Sequence, residues 1–286
     1  MMSWTLRQSR LQPRAGATYG RLRSERVFLA SLGGLLVAFL MMPIVALVAT
    51  ATISEFGAGI RNHLVWPALR LSLVTTSSTL VVVLLLGTPL AWSMARARSR
   101  LAHLVETAVQ LPIVIPPAVA GVAMLLAFGR RGLFAGWLYP RGWSISFTTP
   151  AVVVAETFVS APFFLQAATS AFQGIDERLI VVAESLGASP LRVFLRIGLP
   201  LAAPGLVAGA AMSWARSLGE FGATLMFAGN LQGVTQTLPL AIYTTIESDM
   251  RAAQALSVVL LVVAFALLVF VRAVVRSSKE AEGRFP

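Results

Sequence analysis

Six apolar runs, at about residues 27–53, 68–95, 104–128, 150–172, 201–226 and 253–275, constrain this chain more than anything else in it. Each exceeds the ~20 residues that carry a helix across ~30 Å of hydrocarbon. In lipid a backbone must satisfy its own N–H and C=O groups, so runs of this length read as helices packed in a bundle. The first run is longer than a signal-peptide core and no clean small-residue cleavage site follows it, so it counts as a span. Pro43, Pro89, Pro112, Pro116, Pro117, Pro162 and Pro204 lie inside the runs, where a bundle tolerates them if neighbours bond the freed carbonyls. Composition agrees: 57% of the 286 residues are hydrophobic and 12% are charged, about half the charge of a soluble domain. The expected fold is an all-α integral membrane protein with six transmembrane helices.

A net charge of +11 would suit nucleic acid, but the charges are placed as membrane topology places them. With the N-terminus inside, the basic clusters at 7–26, 96–100, 178–196 and 272–284 hold sixteen Lys and Arg on the inner side. Six stand outside, namely Arg61, Arg70, Arg130, Arg131, Arg141 and Arg251, and Arg216 falls within a span. This asymmetry predicts a multi-pass protein with both termini cytoplasmic and no nucleic-acid partner. Trp66, Trp92, Trp137 and Trp143 lie near span ends, where interfacial indoles belong. Residues 1–26 read as a basic cytoplasmic extension, 27–275 as the membrane domain, and 276–286 as a cytoplasmic tail. Residues 129–149 hold enough Gly and aromatics to form a structured outer cap or re-entrant turn.

Several chemistries are excluded. There is no cysteine, so no disulfide, thiolate metal site or cysteine nucleophile. No Gly-x-x-x-x-Gly-Lys-Ser/Thr loop cradles phosphates, and neither His-Glu-x-x-His nor a Gly-x-Ser-Gly with an intramembrane His occurs. His63 and His103 fall in connectors, away from any metal-ligating partner. An intramembrane enzyme is therefore not expected, nor is a metal or cofactor in this chain. A membrane scaffold without chemistry of its own remains as an alternative.

Residues 173–200 interrupt the apolar pattern, and 181–200 read VVAESLGASPLRVFLRIGLP. Asp176 can cap a helix that Gly187 ends in a left-handed conformation. Ser189 can cap a second helix with Pro190 at its first position. Leu191, Phe194 and Leu195 then share one face and Arg192 and Arg196 another, with Leu199-Pro200 closing the insert. Two short helices meeting at a bend, with an apolar ridge and a basic flank, suit a groove on a soluble partner. An amphipathic helix resting on headgroups would need the same two faces.

The spacing from Gly187 through Ile197 to Leu199-Pro200 resembles the loop signature of ATP-binding-cassette (ABC) importer permeases. The family signature opens Glu-Ala-Ala where this chain has Val181-Val182-Ala183, with Glu184 one position beyond. Downstream, SLGEFGATLMFAGN (217–230) and TQTLPLAIYTTIE (235–247) are similar to the molybdate and tungstate permeases of that family, and less selectively to sulfate permeases. The resemblance spans about 65–275 and implies the fold of type I importer permeases. It also implies that Ala183, Glu184, Gly187, Ser189, Pro190, Leu191, Arg192, Phe194, Leu195, Ile197, Leu199 and Pro200 form a coupling loop. That loop would dock in the cleft of a cytoplasmic ATPase dimer, which binds the ATP and Mg. The remaining implied partners are an extracytoplasmic oxyanion-binding protein and a second copy of this chain, in a bacterial inner membrane. The implied function is import of molybdate or tungstate, with a sulfate or thiosulfate permease as the alternative.

Within the spans, Arg216 and Glu220 stand four apart and would be costly facing lipid, so they belong in the bundle interior or a wet cavity. They either line the path and its gate or neutralise each other, the second being favoured over direct solute contact. Ser217 and Thr224 offer hydroxyls nearby, and Gly219, Gly222 and Ala223 allow close helix approach. Thr75, Thr76, Ser77, Ser78 and Thr79 cluster five hydroxyls in the second span, to bond their own helix or line the pore. Glu156 reads as a packing or gate-rim carboxylate.

Overall fold

The computed structural model describes residues 15–50, 57, 63–97 and 99–282. Residues 1–14 of the expected extension and 283–286 of the tail lie outside them. The chain falls into two units, Met1–Thr52 and Ile53–Pro286. The first contributes one helix, α1 (Ala15–Ala49), so the basic residues from 15 to 26 continue into the helix of the first span.

The second unit is helical throughout, with no strand among the described residues. Helix α2 (Val65–Arg96) buries Val65, Ala68, Ser72, Thr75, Thr76, Thr79, Val83, Gly87 and Ala91, a stripe at three- and four-residue spacing. Helices α3 (Arg100–Val114) and α4 (Pro117–Phe128) follow, with the Ser99 hydroxyl accepting from the Ala102 N–H at the start of α3. Then come α5 (Thr149–Gln173), α6 (Glu177–Ser185), α7 (Pro190–Val193) and α8 (Leu199–Leu218). The chain ends with α9 (Gly222–Ala228), α10 (Leu238–Ile246) and α11 (Met250–Glu282). Five helices are long and apolar enough to cross a membrane, and six if α3 and α4 count as one span.

Three boundaries differ from the sequence expectation, each for a local reason. The third run is not one straight helix: α3 and α4 are bent by 116°. Pro117 forces Pro116 into an extended conformation (φ −54°, ψ 136°), which no helix can run through. The fifth run stops at Leu218 and restarts at Gly222, so Glu220 does not share a helix with Arg216. Leu199-Pro200 does not close the insert either, since the helical path continues from Pro190 to Leu218. A wide turn over Phe194–Gly198, in which the Leu199 N–H reaches the Phe194 carbonyl, widens the ladder just ahead of Pro200. That widening relieves the clash a proline makes with the carbonyl four residues back. Helix α10, at nine residues, is too short to register as an apolar run.

Helix α5 is the centre, packing against α2, α3, α4, α8 and α9. Its N-terminal half joins Ala120 and Met124 of α4 and Ala223 and Phe227 of α9 around Val152, Ala155 and Val159. Its other half packs Phe164, Ala168 and Phe172 against Val83 and Ala91 of α2 and Ala202 of α8. Close approach depends on missing side chains: a Cβ on Gly87 would lie 2.9 Å from the Phe164 ring, and one on Gly209 2.9 Å from the Ala167 Cβ. Small residues are what let membrane helices pack this tightly, because lipid supplies no hydrophobic drive between them. The stretch 129–149 is ordered as a cap, with Leu133 and Phe134 N–H groups bonded back to the Leu126 and Ala127 carbonyls. In it Trp143 packs edge-on to Trp137, and Arg141 lies over the Trp137 ring.

Candidate functional site

The insert folds as two short helices at a bend, built by its own caps. An Asp176 carboxylate oxygen accepts from the Arg178 N–H at 2.9 Å, which starts α6. At its end Gly187 takes φ +83°, the Ala188 N–H bonds the Ala183 carbonyl (3.0 Å), and the Gly187 N–H bonds the Glu184 carbonyl (2.9 Å). Those two bonds are the paired closure of a left-handed helix cap, which satisfies carbonyls that would otherwise be orphaned. The Ser189 hydroxyl accepts from the Arg192 N–H at 3.4 Å and Pro190 occupies the first position of α7.

One side of the insert is apolar and uncovered. Leu186 is 83% exposed and Leu191 65%, with Val182 and Leu195 also exposed beside them. Glu184, Arg192, Arg196 and Pro200 are exposed as well, and Ala183, Ile197 and Leu199 are half-buried. Phe194 departs from the ridge expected of it. Its ring turns inward, 5.3 Å from Trp92 of α2 and 6.3 Å from Phe172 of α5, and those two lie 5.2 Å apart, edge to face. Gly198 backs the cluster, where a Cβ would run into the Trp92 ring, and the Arg96 guanidinium lies 3.4 Å over the ring's centre. Trp92 is thus a packing residue shared by α2, α5 and the insert. Sequence reading also missed Leu186 on the open side, since it lies at a helix end where periodicity runs out.

The second constellation is a buried polar seam. Ser72, Thr75, Thr76 and Thr79 form one face of α2. Thr75 and Thr79 donate to the two oxygens of Glu156 on α5 at 2.8 and 2.9 Å, and Glu156 is 2% exposed. Thr76 accepts from the Trp214 indole of α8 at 2.9 Å, and Ser72 accepts from the Leu238 N–H that opens α10 at 2.8 Å. Four helices are therefore keyed together through hydroxyls of a single helix face. Ser77 and Ser78 point away, and Ser78 bonds the Val74 carbonyl of its own helix. Lone hydroxyl clusters in a span signal polar business, but not which partner each hydroxyl meets; that depends on helix rotation.

At the break between α8 and α9, Arg216 and Glu220 meet at 2.8 Å. The other Glu220 oxygen accepts from the Ala223 N–H at 2.9 Å, so both oxygens are engaged. Glu220 closes the end of one helix and caps the start of the next. Ser217 bonds the Trp214 carbonyl, while the buried Thr224 hydroxyl has no partner. Arg216 and Glu220 pair with each other, but across a helix break that lets one carboxylate serve two elements and not on one helix face as the spacing predicts.

Residues 87–279, which include the insert, the break and most of α5's neighbours, match the family described as binding-protein-dependent transport system inner membrane component. The molybdenum transport system permease protein ModB of Mycobacterium tuberculosis (strain ATCC 25618 / H37Rv) is 45% identical over 238 residues, which is 83% of this chain and 89% of that one. The protein of the same name from Escherichia coli (strain K12) is 36% identical over 222 residues, 77% of this chain and 97% of its own. Among solved structures, a bacterial ABC transporter involved in the import of the acidic polysaccharide alginate matches with TM-score 0.74 at 17% identity, covering 91% of this chain and 99% of that chain. The inward-facing MetNI methionine ABC transporter matches with TM-score 0.61 at 21% identity, covering 75% and 96%. At those identities the structures speak to the fold alone, and they share it. On the profile match and the relatives' identities, the chain belongs to the family of binding-protein-dependent transport system inner membrane components, among the relatives of the ModB permeases.

Proposed function

We propose that this chain is the permease subunit of an ABC importer that moves molybdate, or the isosteric tungstate, into the cytoplasm. The observation that carries the substrate class is the 45% identity to a molybdenum permease over 83% of this chain. In this reading two copies span the membrane with their termini and insert on the cytoplasmic side, as the basic residues place them. The insert's open ridge of Val182, Leu186, Leu191 and Leu195 enters a groove on each subunit of an ATPase pair, which binds the ATP and Mg. An extracytoplasmic oxyanion-binding protein delivers the anion. Phe194, Trp92 and Phe172 carry the groove's closure to α2 and α5, because an inserted ring cannot shift without moving both. Arg216 and Glu220 hold the α8–α9 break in register near the path; with both carboxylate oxygens engaged, the pair has little charge left for the solute.

The test is ATP hydrolysis by the reconstituted permease–ATPase complex, with its binding protein loaded in turn with molybdate, tungstate and sulfate. Stimulation by the first two and not by sulfate is expected. Stimulation by sulfate alone would move the chain to the sulfate permeases.

A further inference from the structure

Helices α3 and α5 leave a polar cleft between them. It has a volume of ≈ 160 Å³ and is lined by Glu106 and Gln110 of α3 and by Gln166, Thr169, Ser170 and Gln173 of α5, among apolar neighbours. Gln166, Ser170 and Gln173 recur at i, i+4 and i+7, so they form the stripe of α5 opposite the one buried against α2 and α8. Thr169 is 5% exposed, and its buried hydroxyl has no hydrogen-bond partner. Of the eight buried side-chain polar atoms without a partner among the described residues, only the Thr169 hydroxyl lines this cleft, and its desolvation is uncompensated there. A membrane-length helix such as α5 does not turn two amides and a hydroxyl toward lipid either, so this stripe faces water, a solute or protein.

The chemistry of the lining selects the solute. Three primary amides and two hydroxyls offer eight neutral N–H and O–H donors. A tetrahedral oxyanion presents only acceptors, and the cleft can hold one with part of its hydration. Among the described residues no Lys or Arg lines it, and Glu106 opposes any anion that lingers. A site on a path must bind well enough to admit its ion and weakly enough to release it. Neutral donors beside one carboxylate meet both demands, which a guanidinium cage does not.

Building on the permease reading above, we propose that the α3–α5 cleft is a transit site for the oxyanion, contacted by Gln110, Gln166, Thr169 and Ser170. The test is molybdate delivered per ATP hydrolysed by the complete reconstituted complex, compared for Thr169→Val, Thr169→Ser and Gln166→Leu. Thr169→Val and Gln166→Leu should each lower that ratio about tenfold, the worth of one charged-acceptor hydrogen bond. Thr169→Ser, which keeps the hydroxyl, should hold it near wild type. Equal ratios in valine and serine variants would overturn the proposal. So would loss of assembly in both Thr169→Val and Gln166→Leu, which would assign the cleft to packing between copies. A wild-type complex that moves no molybdate sinks the substrate reading instead, whereas a working wild type with unaffected variants sinks only the transit site.

Discussion

Arg216 and Glu220 show how much one ion pair can organise when its carboxylate also caps a helix. Glu220→Gln leaves the guanidinium without its counter-charge in a largely dry site. Because Arg216 keeps 29% of its side chain exposed, the loss should fall below the ~3–5 kcal/mol of a fully buried pair. The double change Arg216→Met with Glu220→Gln should recover much of that stability, since a glutamine can still accept from the Ala223 N–H. Thermal unfolding of the singles and the double measures the coupling; additive losses would mean the pair sits in a wet crevice. Gly187 acts through conformation alone. A Cβ there meets nothing within 4 Å, so only φ +83° opposes a side chain. Gly187→Val should cost about 1–2 kcal/mol locally and misplace α7. Normal membrane insertion with weakened ATPase binding is expected, and wild-type uptake would count against the role given to the cap.

At the scale of elements, the insert and the aromatic cluster form one mechanical unit. Phe194→Ala removes the ring shared by α2 and α5, at a cost below the ~3–5 kcal/mol of a fully buried Phe. It leaves the exposed ridge of Leu186, Leu191 and Leu195 intact. The ATPase should still bind and hydrolyse, while molybdate moved per ATP falls several-fold; an unchanged ratio would remove Phe194 from the coupling path. The caps around this unit were legible in the sequence, because Asp176, Gly187, Ser189 and Pro190 each satisfy a local backbone need. The inward turn of Phe194 was not, because it follows from a widened turn that accommodates Pro200 four residues beyond Arg196. The breaks at Pro116 and Glu220 were hidden for a similar reason. Hydropathy averages over a window, so neither the Pro116-Pro117 pair nor Glu220 interrupts a run that is apolar on both sides. The hydroxyls of α2 announced a polar site, but their pairing with Glu156, Trp214 and Leu238 needed the packing of four helices.

For the whole molecule, one chain offers one insert, while a paired ATPase has two clefts to fill. Native mass measurement of the active complex should therefore find two permease chains with two ATPase chains; a single permease chain, with no second kind of permease subunit, would contradict that assembly. The proposed work of this assembly is to couple ATP hydrolysis to inward movement of a molybdenum oxyanion. It is tested most directly by counting molybdate taken into vesicles that hold only this chain and the ATPase, with loaded binding protein on the far side and ATP at the ATPase. Accumulation above the outside concentration that requires both ATP and the binding protein and survives excess sulfate is expected. Molybdate that only equilibrates, or uptake that sulfate abolishes, would contradict it.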